Sequence, residues 1–413
     1  MGDKWKEYRI SEIGRVITGK TPPTAESENY GGILPFITPS DMKGQKYIDV
    51  TERTVSIKGI KYVKTLLIPP KTVFVSCIGS DMGKVGMTKV ESVTNQQINS
   101  IVVNEGIEPD YVYYNLYSRK DELQRLATSG SAQPILNKGH FSQLKILVPP
   151  LPEQKAIASI LGALDDKIEL NRKMNETLEA MARAIFKSWF VDFDPIPGIG
   201  PHKEWQDSPL GKIPKGWRVG TLGELVDFIN ERVEVTPEKD NEKYIALDDM
   251  PLRSIDLAQY RAGVEVNSSI IRFREGDVLF GAMRPYFHKV GLAQFDGITR
   301  TTTFVLRPKK SNACLFALMN FFSDTVIEYA TSVSVGSTIP YIKWDALSIF
   351  QIILPTEDLI KKYNDFTTPM IHQIKMNSKQ SRTLASIRDA LLPKLLSGEI
   401  KVKDAERFVE ASA

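Results

Sequence analysis

The sequence predicts an α+β fold: two similar mixed α/β domains, separated by two long helices that pair as an antiparallel coiled coil, in a dumbbell with pseudo-two-fold symmetry. Three observations predict it. The chain repeats itself in order, each copy opens on short β-type runs, and each copy closes on an unusually long helical pattern. The repeat is read first, because a missed one misassigns the whole fold. Gly130-Ser131, Pro134 and the run Leu144, Ile146, Leu147, Val148, Pro149 reappear as Gly336-Ser337, Pro340 and Phe350, Ile352, Ile353, Leu354, Pro355, at an offset of 206. Trp5, Ile10, Glu12, Ile13 and Ile17 answer to Trp217, Leu222, Glu224, Leu225 and Ile229 at 212. Phe36-Ile37 with Asp41-Met42 answers to Tyr244-Ile245 with Asp249-Met250 at 208. Val73-Phe74-Val75 and Lys84-Val85-Gly86 answer to Val278-Leu279-Phe280 and Lys289-Val290-Gly291 at 205. One recurring Trp or Ile means little. Collinear order over a whole copy, with an offset that drifts as loops differ in length, means duplication.

The first domain spans 1–152. Ile33 to Ile37, Thr72 to Ser76 and Ile98 to Val103 are β-branched and aromatic runs broken by Gly, Pro, Asn and Asp, which predicts strands. An amphipathic helix is predicted from about Pro109 to Ser129, with Tyr113, Leu116, Leu123 and Leu126 inward. Pro149-Pro150-Leu151-Pro152 then marks a helix start, where the missing proline amide costs nothing. The segment 153–194 is a helix to about Phe190, with Ile157, Ile160, Leu164, Ile168, Met174, Leu178, Met181 and Ile185 on one face. At ~1.5 Å per residue it is on the order of 55 Å long, more than a globular domain needs. Residues 195–216, rich in Pro and Gly, read as a linker. The second domain spans 217–356, and 357–413 holds the closing helix and tail. Ile371, Ile374, Leu384, Ile387, Leu391 and Leu395 share one side of that helix, Gly398 stops it, and Pro369 and Pro393 predict a kink or a delayed start. Asn171 and its counterpart Asn377 lie near the apolar seam, where a buried amide fixes register at some cost in stability. Antiparallel pairing of the helices would put the domains at opposite ends.

Composition narrows the function. A length of 413 residues at 42% hydrophobic content suits two or three domains with cores of their own. Cys77 and Cys314 are too few for a disulfide framework or a zinc cluster. The start lacks the apolar core of a signal peptide and no run is long enough to span a membrane, so a reducing cytoplasm is expected. Net charge is +3, with 19 basic and 15 acidic residues in 1–152 and 18 and 20 in 193–356. A polyanion partner would therefore need the cations gathered on one face.

Catalytic chemistry is not legible. None of the four histidines, His140, His202, His288 and His372, stands at metal-ligand spacing. Gly79 to Val85 is one residue short of a phosphate loop and lacks its Ser or Thr. No nucleotide-cofactor fingerprint appears, and Glu399-Ile400-Lys401 lacks an acidic partner. A self-sufficient methyltransferase or nuclease is thus disfavoured. The loops offer instead side chains suited to reading DNA. In the first copy these are Asn95, Gln96, Gln97, Gln133 and Asn137, whose amides suit adenine, with Ser80, Ser131, Lys20, Lys43, Lys84 and Lys138 beside them. In the second they are Arg284, Tyr286, His288, Lys289, Arg300, Thr301, Thr302, Ser337, Thr338, Tyr341, Lys343 and Arg232, where Arg suits guanine and Thr a thymine methyl. Equivalent places carry different chemistry, as two readers of different specificity would; solvated loop residues would give the same pattern.

The run from Leu147 through Pro149-Pro150-Leu151-Pro152-Glu153-Gln154-Lys155-Ala156-Ile157, followed by Leu164-Asp165-Asp166-Lys167-Ile168, resembles the DNA specificity subunit of type I restriction-modification systems. The ending Leu391-Leu392-Pro393-Lys394-Leu395-Leu396-Ser397-Gly398-Glu399-Ile400 is similar to that family's closing helix. The resemblance implies two target-recognition domains, each reading half of a split double-stranded target, with the helices as a ruler. It implies a non-catalytic subunit that assembles two methyltransferase subunits, using S-adenosylmethionine on adenine N6, and then two restriction subunits using ATP and magnesium. By the same resemblance, Asp165, Asp166, Asn171 and Asn377 mark the docking surface. The second copy departs from the pattern at Leu354-Pro355-Thr356-Glu357, so its equivalence is looser. The alternative is a standalone DNA-binding adaptor or regulator without methyltransferase partners.

Overall fold

In the computed structural model, which describes residues 5–79, 81–128, 135–233, 242–262, 269–405 and 407, the repeat is written in backbone hydrogen bonds. The chain divides into two units, Met1–Glu169 with Arg382–Ala413, and Leu170–Ser381. Each has the same internal plan. In the first, Lys6–Arg9 pairs antiparallel with Lys145–Val148; in the second, Arg218–Thr221 pairs antiparallel with Gln351–Leu354. A larger antiparallel sheet follows in each. Its order is Gly14–Thr18, Ile98–Val103, Val73–Ser76, Val85–Met87 in the first unit. In the second it is Val226–Ile229, Thr303–Pro308, Val278–Gly281, Val290–Ala293, with Asp256–Leu257 added in parallel. A further sheet in each contains one parallel pair, Phe36 opposite Val93 and Tyr244 opposite Ile298. The strands Val73–Ser76 and Val278–Gly281 are buried at every position, which is why both sequences are continuous apolar runs rather than alternating ones.

The predicted helix at Pro109 is two helices, Pro109–Tyr117 and Lys120–Thr128. Arg119 accounts for the break: its guanidinium donates to the Lys145 carbonyl at 2.6 Å and forks onto Glu122. With the register reset there, Leu123 stays in the core and Leu126, expected inward, is exposed. The linker 195–216 is not a bare connector. Trp205–Ser208 and Gly211–Pro214 form a hairpin, and Ile196 and Ile213 are buried in the core of the second unit.

The first long helix is Leu151–Phe190 and the second is Glu357–Leu396. Neither Pro369 nor Pro393 interrupts the second helix. Just before Pro369 the hydroxyls of Thr367 and Thr368 donate to the carbonyls of Tyr363 and Asn364, whereas the carbonyl that loses its helical donor to the proline is that of Asp365. Within each unit the two helices run antiparallel. In the first unit Ile157, Leu161 and Leu164 pack with Leu384, Ile387, Leu391 and Leu395, and with Tyr111, Tyr114 and Phe141 of the domain. In the second, Ala182, Phe186 and Phe190 pack with Tyr363 and Ile374, and the Tyr363 hydroxyl donates to the Ala182 carbonyl at 3.0 Å. Met174 and Met181, expected on the inner face, are exposed. The inner face passes instead through Asn171, Asn175 and Glu179, all buried. A seam that turns polar midway cannot be found by following apolar residues.

Candidate nucleic-acid interface

Three loops meet at one junction in each unit, held by matching backbone bonds. In the first unit the Cys77 amide donates to the Gln97 carbonyl at 2.7 Å and the Leu136 amide to the Cys77 carbonyl at 3.0 Å, with Ile78 bridged to Ile135. In the second, Ala282 donates to Thr302 at 2.9 Å and Ile342 to Ala282 at 3.0 Å, with Met283 bridged to Tyr341. The bonds correspond residue for residue, while the side chains differ.

Second-unit residues gather as the sequence suggests. The Arg284 amide donates to the Pro340 carbonyl at 2.7 Å, so its loop and the one carrying Ser337, Thr338 and Tyr341 are pinned together. Arg284, Tyr286, Arg300, Thr301, Ser337, Thr338, Tyr341 and Lys343 are exposed, and Thr302 is half-buried at the junction itself. Arg232 is exposed on a strand paired with Ile271. Two expected contacts are otherwise engaged. His288 is 2% exposed, with Nε2 2.8 Å from the Phe322 carbonyl oxygen; burial lowers its pKa, so the ring is neutral and turned inward. Lys289 Nζ donates to the Leu247 carbonyl at 2.8 Å.

In the first unit Lys20, Gln96, Asn137 and Lys138 are exposed and Gln97 is half-buried. Asn95 is buried, and its amide is closed on Gln97: Nδ2 donates to Gln97 Oε1 at 2.8 Å and Oδ1 accepts from the Gln97 amide at 3.1 Å. It shapes the loop and offers no edge to a base. Gln96 is exposed, and its Oε1 accepts from the Thr21 hydroxyl at 2.6 Å. The Asn137 side chain caps a short helix by accepting from the His140 amide. Gly130, Ser131, Gln133, Pro134 and Ser80 lie outside the described residues. Lys43 and Lys84, with Lys120, line a cleft of about 640 Å³ whose floor includes Met42, Val85 and Leu392; Lys84 also pairs with Asp81 at 2.7 Å.

Of the residues carried over as docking positions, only Asp166 is exposed. Asn171 and Asn377 are 1% and 5% exposed, and no partner chain can reach them. Asn171 Nδ2 donates to Gln380 Oε1 at 2.9 Å and contacts the Asn377 carbonyl, while Asn377 Nδ2 donates to Asn175 Oδ1 at 2.8 Å. These amides fix the register of the helix pair. Asp165 is taken up by Arg388 at 2.6 Å and by the Tyr114 hydroxyl at 2.7 Å.

Sequence reasoning missed Phe287 and Arg253. Phe287 is exposed beside Tyr286. Arg253 has φ 53° and pairs with Asp324 at 3.0 Å. Arg253 carries no sequence signal because a left-handed backbone is legible in a sequence mainly where glycine occupies it, and Phe287 carries none because an aromatic residue is ordinarily read as core.

A family model described as the type I restriction modification DNA specificity domain matches residues 2–180 and 214–382, one match for each copy. The chain belongs to this family. Among its relatives is the type I restriction enzyme MjaIX specificity subunit of Methanocaldococcus jannaschii, 29% identical over 421 residues, which cover 97% of this chain and 94% of the relative. The HindI specificity subunit of Haemophilus influenzae is 35% identical over 179 residues, 42% of this chain and 39% of that one. The crystal structure of a type I restriction-modification S subunit from M. genitalium shares the fold, with a TM-score of 0.54 at 16% identity over 96% of this chain and 97% of that one. The specificity family thus accounts for the duplication, and the chain is a recognition component rather than an enzyme. Among the described residues no helix is long and apolar enough to cross a membrane, and no group of three or more His, Cys, Asp or Glu side chains could hold a metal ion.

Proposed function

We propose that this specificity subunit reads a bipartite double-stranded DNA target, one half through each unit, and docks two methyltransferase subunits and, in the full cytoplasmic complex, two restriction subunits. S-adenosylmethionine, ATP and magnesium belong to those partners. One observation carries the reading: the same three-loop junction is built twice from the same backbone bonds, yet presents amides and lysines in one unit and Arg, Thr and Tyr in the other. A conserved frame with exchanged side chains suits two readers of different base sequence. Lys and Arg contacts to phosphate supply affinity and position, and the loop side chains supply choice. The exposed Lys20, Lys138, Arg232, Arg300 and Lys343 serve the first role; Gln96, Arg284, Thr301 and Thr338 serve the second.

Methylation of duplex libraries randomised in each half, by this chain assembled with its methyltransferase, tests the reading. Arg284→Ala relaxes the second half alone, by roughly tenfold for one lost bidentate base contact, and Gln96→Ala relaxes the first alone. Equal relaxation of both halves by either variant refutes it. Recovery of the chain without any methyltransferase refutes the docking assignment.

A further inference from the structure

Pro285–Phe287 is a single 3₁₀ turn between two residues in left-handed backbone, Arg284 at φ 49° and His288 at φ 51°. Side chains other than glycine resist that conformation. At the equivalent places, 205 positions earlier, the first unit has Gly79 at φ 79° and Gly83 at φ 82°, which adopt it freely. The second unit therefore keeps two strained side chains where glycine would serve. It also fixes the turn on both sides. The Arg284 amide is bonded to the Pro340 carbonyl, Pro285 and His288 are buried, and the His288 carbonyl accepts from the Arg253 amide at 3.1 Å.

What this rigid turn presents is two aromatic rings in water. Tyr286 is 48% exposed and Phe287 40%, with centroids 4.8 Å apart. Their first-unit counterparts are Asp81 and the buried Met82. A third exposed ring, Tyr341, stands on the loop bonded to the turn, and Arg284, Arg300 and Lys343 are exposed on the same three loops. Rings interleaved with cations on one loop junction suit stacking against bases beside a phosphate backbone, and an apolar side chain held rigidly can be driven between base steps.

We infer that Tyr286 and Phe287 are an aromatic wedge that unstacks one base step in the half-site read by the second unit, whereas the first unit reads its half without such distortion. The inference rests on the DNA-reading function proposed above. Its test uses the full chain assembled with its methyltransferase, and duplexes carrying 2-aminopurine at each adenine of each half-site except the methylated one and its immediate neighbours, which the methyltransferase itself unstacks, once the library experiment has mapped them. Specific binding brightens the probe at one step of the second half and nowhere in the first. The double variant Tyr286→Ala, Phe287→Ala abolishes the brightening and weakens target binding about tenfold, the worth of one stacked base. Phe287→Leu retains the brightening, because leucine can also wedge a step, and this variant guards against mere misfolding. Specific binding with no brightening in the second half overturns the wedge and leaves the reading function standing. Brightening that survives the double variant, or that appears equally in both halves, also overturns it. Absence of specific binding by the wild-type assembly overturns the reading function itself.

Discussion

Replacing Glu179 by glutamine should stabilise the second unit at alkaline pH and leave it unchanged near pH 4.5. Glu179 is 5% exposed on the inner face of the first long helix. Oε1 accepts from the Ser254 hydroxyl at 2.7 Å and Oε2 from the Ile255 amide at 3.3 Å, but these bonds do not offset the loss of water. Burial, with the nearby Asp256 adding to it, pushes the carboxyl from its ordinary 4.5 up to about 7. The folded chain thus holds a proton that the unfolded chain has released. Stability from this group is fully present below pH 4.5, declines as pH rises, and is gone above about 7. The loss is roughly 3 kcal/mol, at ~1.4 kcal/mol for each tenfold change in proton affinity. Glutamine stays neutral and can present Oε1 to the Ile255 amide and Nε2 to Ser254. Urea unfolding followed by tryptophan fluorescence reports mainly this unit, because Trp189, Trp205, Trp217 and Trp344 lie in it and only Trp5 in the other. The variant should match the wild type near pH 4.5 and exceed it by up to about 3 kcal/mol at pH 8. A difference that does not grow between those values, or a variant less stable at pH 8, would refute the reasoning.

Asp165→Ala should destabilise the first unit by about 1–3 kcal/mol, because the Tyr114 hydroxyl loses its acceptor and Arg388 loses the carboxylate on the facing helix while keeping Asp389, its neighbour in sequence, at 2.8 Å; hydrogen exchange should show loss of protection where Asp165 and Arg388 join the two helices. Gly19→Ala puts a Cβ 2.1 Å from the Thr94 carbonyl oxygen and 2.4 Å from that of Asn95. It should cost on the order of 1–3 kcal/mol and impair discrimination at the first half-site only, read from a thermal melt and the methylation libraries. Burial pushes the Cys77 and Cys314 thiols up to about 11, so maleimide at pH 7.5 should label neither in the native protein and both in urea. Rapid native labelling of Cys77 would contradict its burial.

The duplication was legible because it needs only order: Val73-Phe74-Val75 and Val278-Leu279-Phe280 are both central, fully buried strands, and such strands announce themselves as apolar runs. The long helices were legible from Pro152 and the spacing of Ile157 and Leu164. Their inner face was not. Following apolar residues led to Met174 and Met181, while the packed face ran through Asn171, Asn175 and Glu179. The residues proposed to read DNA divided in the same way. Arg284, Thr301 and Tyr341 are exposed at one junction, but Asn95 and His288, chemically as suitable, are buried.

By itself, then, the amino-acid order determined the repeat, the strand and helix content and the absence of a recognisable catalytic motif, since each depends on neighbours along the chain. Only tertiary structure decided which polar groups remain available to a partner. A side chain's hydrogen-bonding capacity is set by its type, but whether that capacity is already satisfied depends on residues such as Phe322 for His288, or Arg388 for Asp165, that lie dozens to hundreds of positions away.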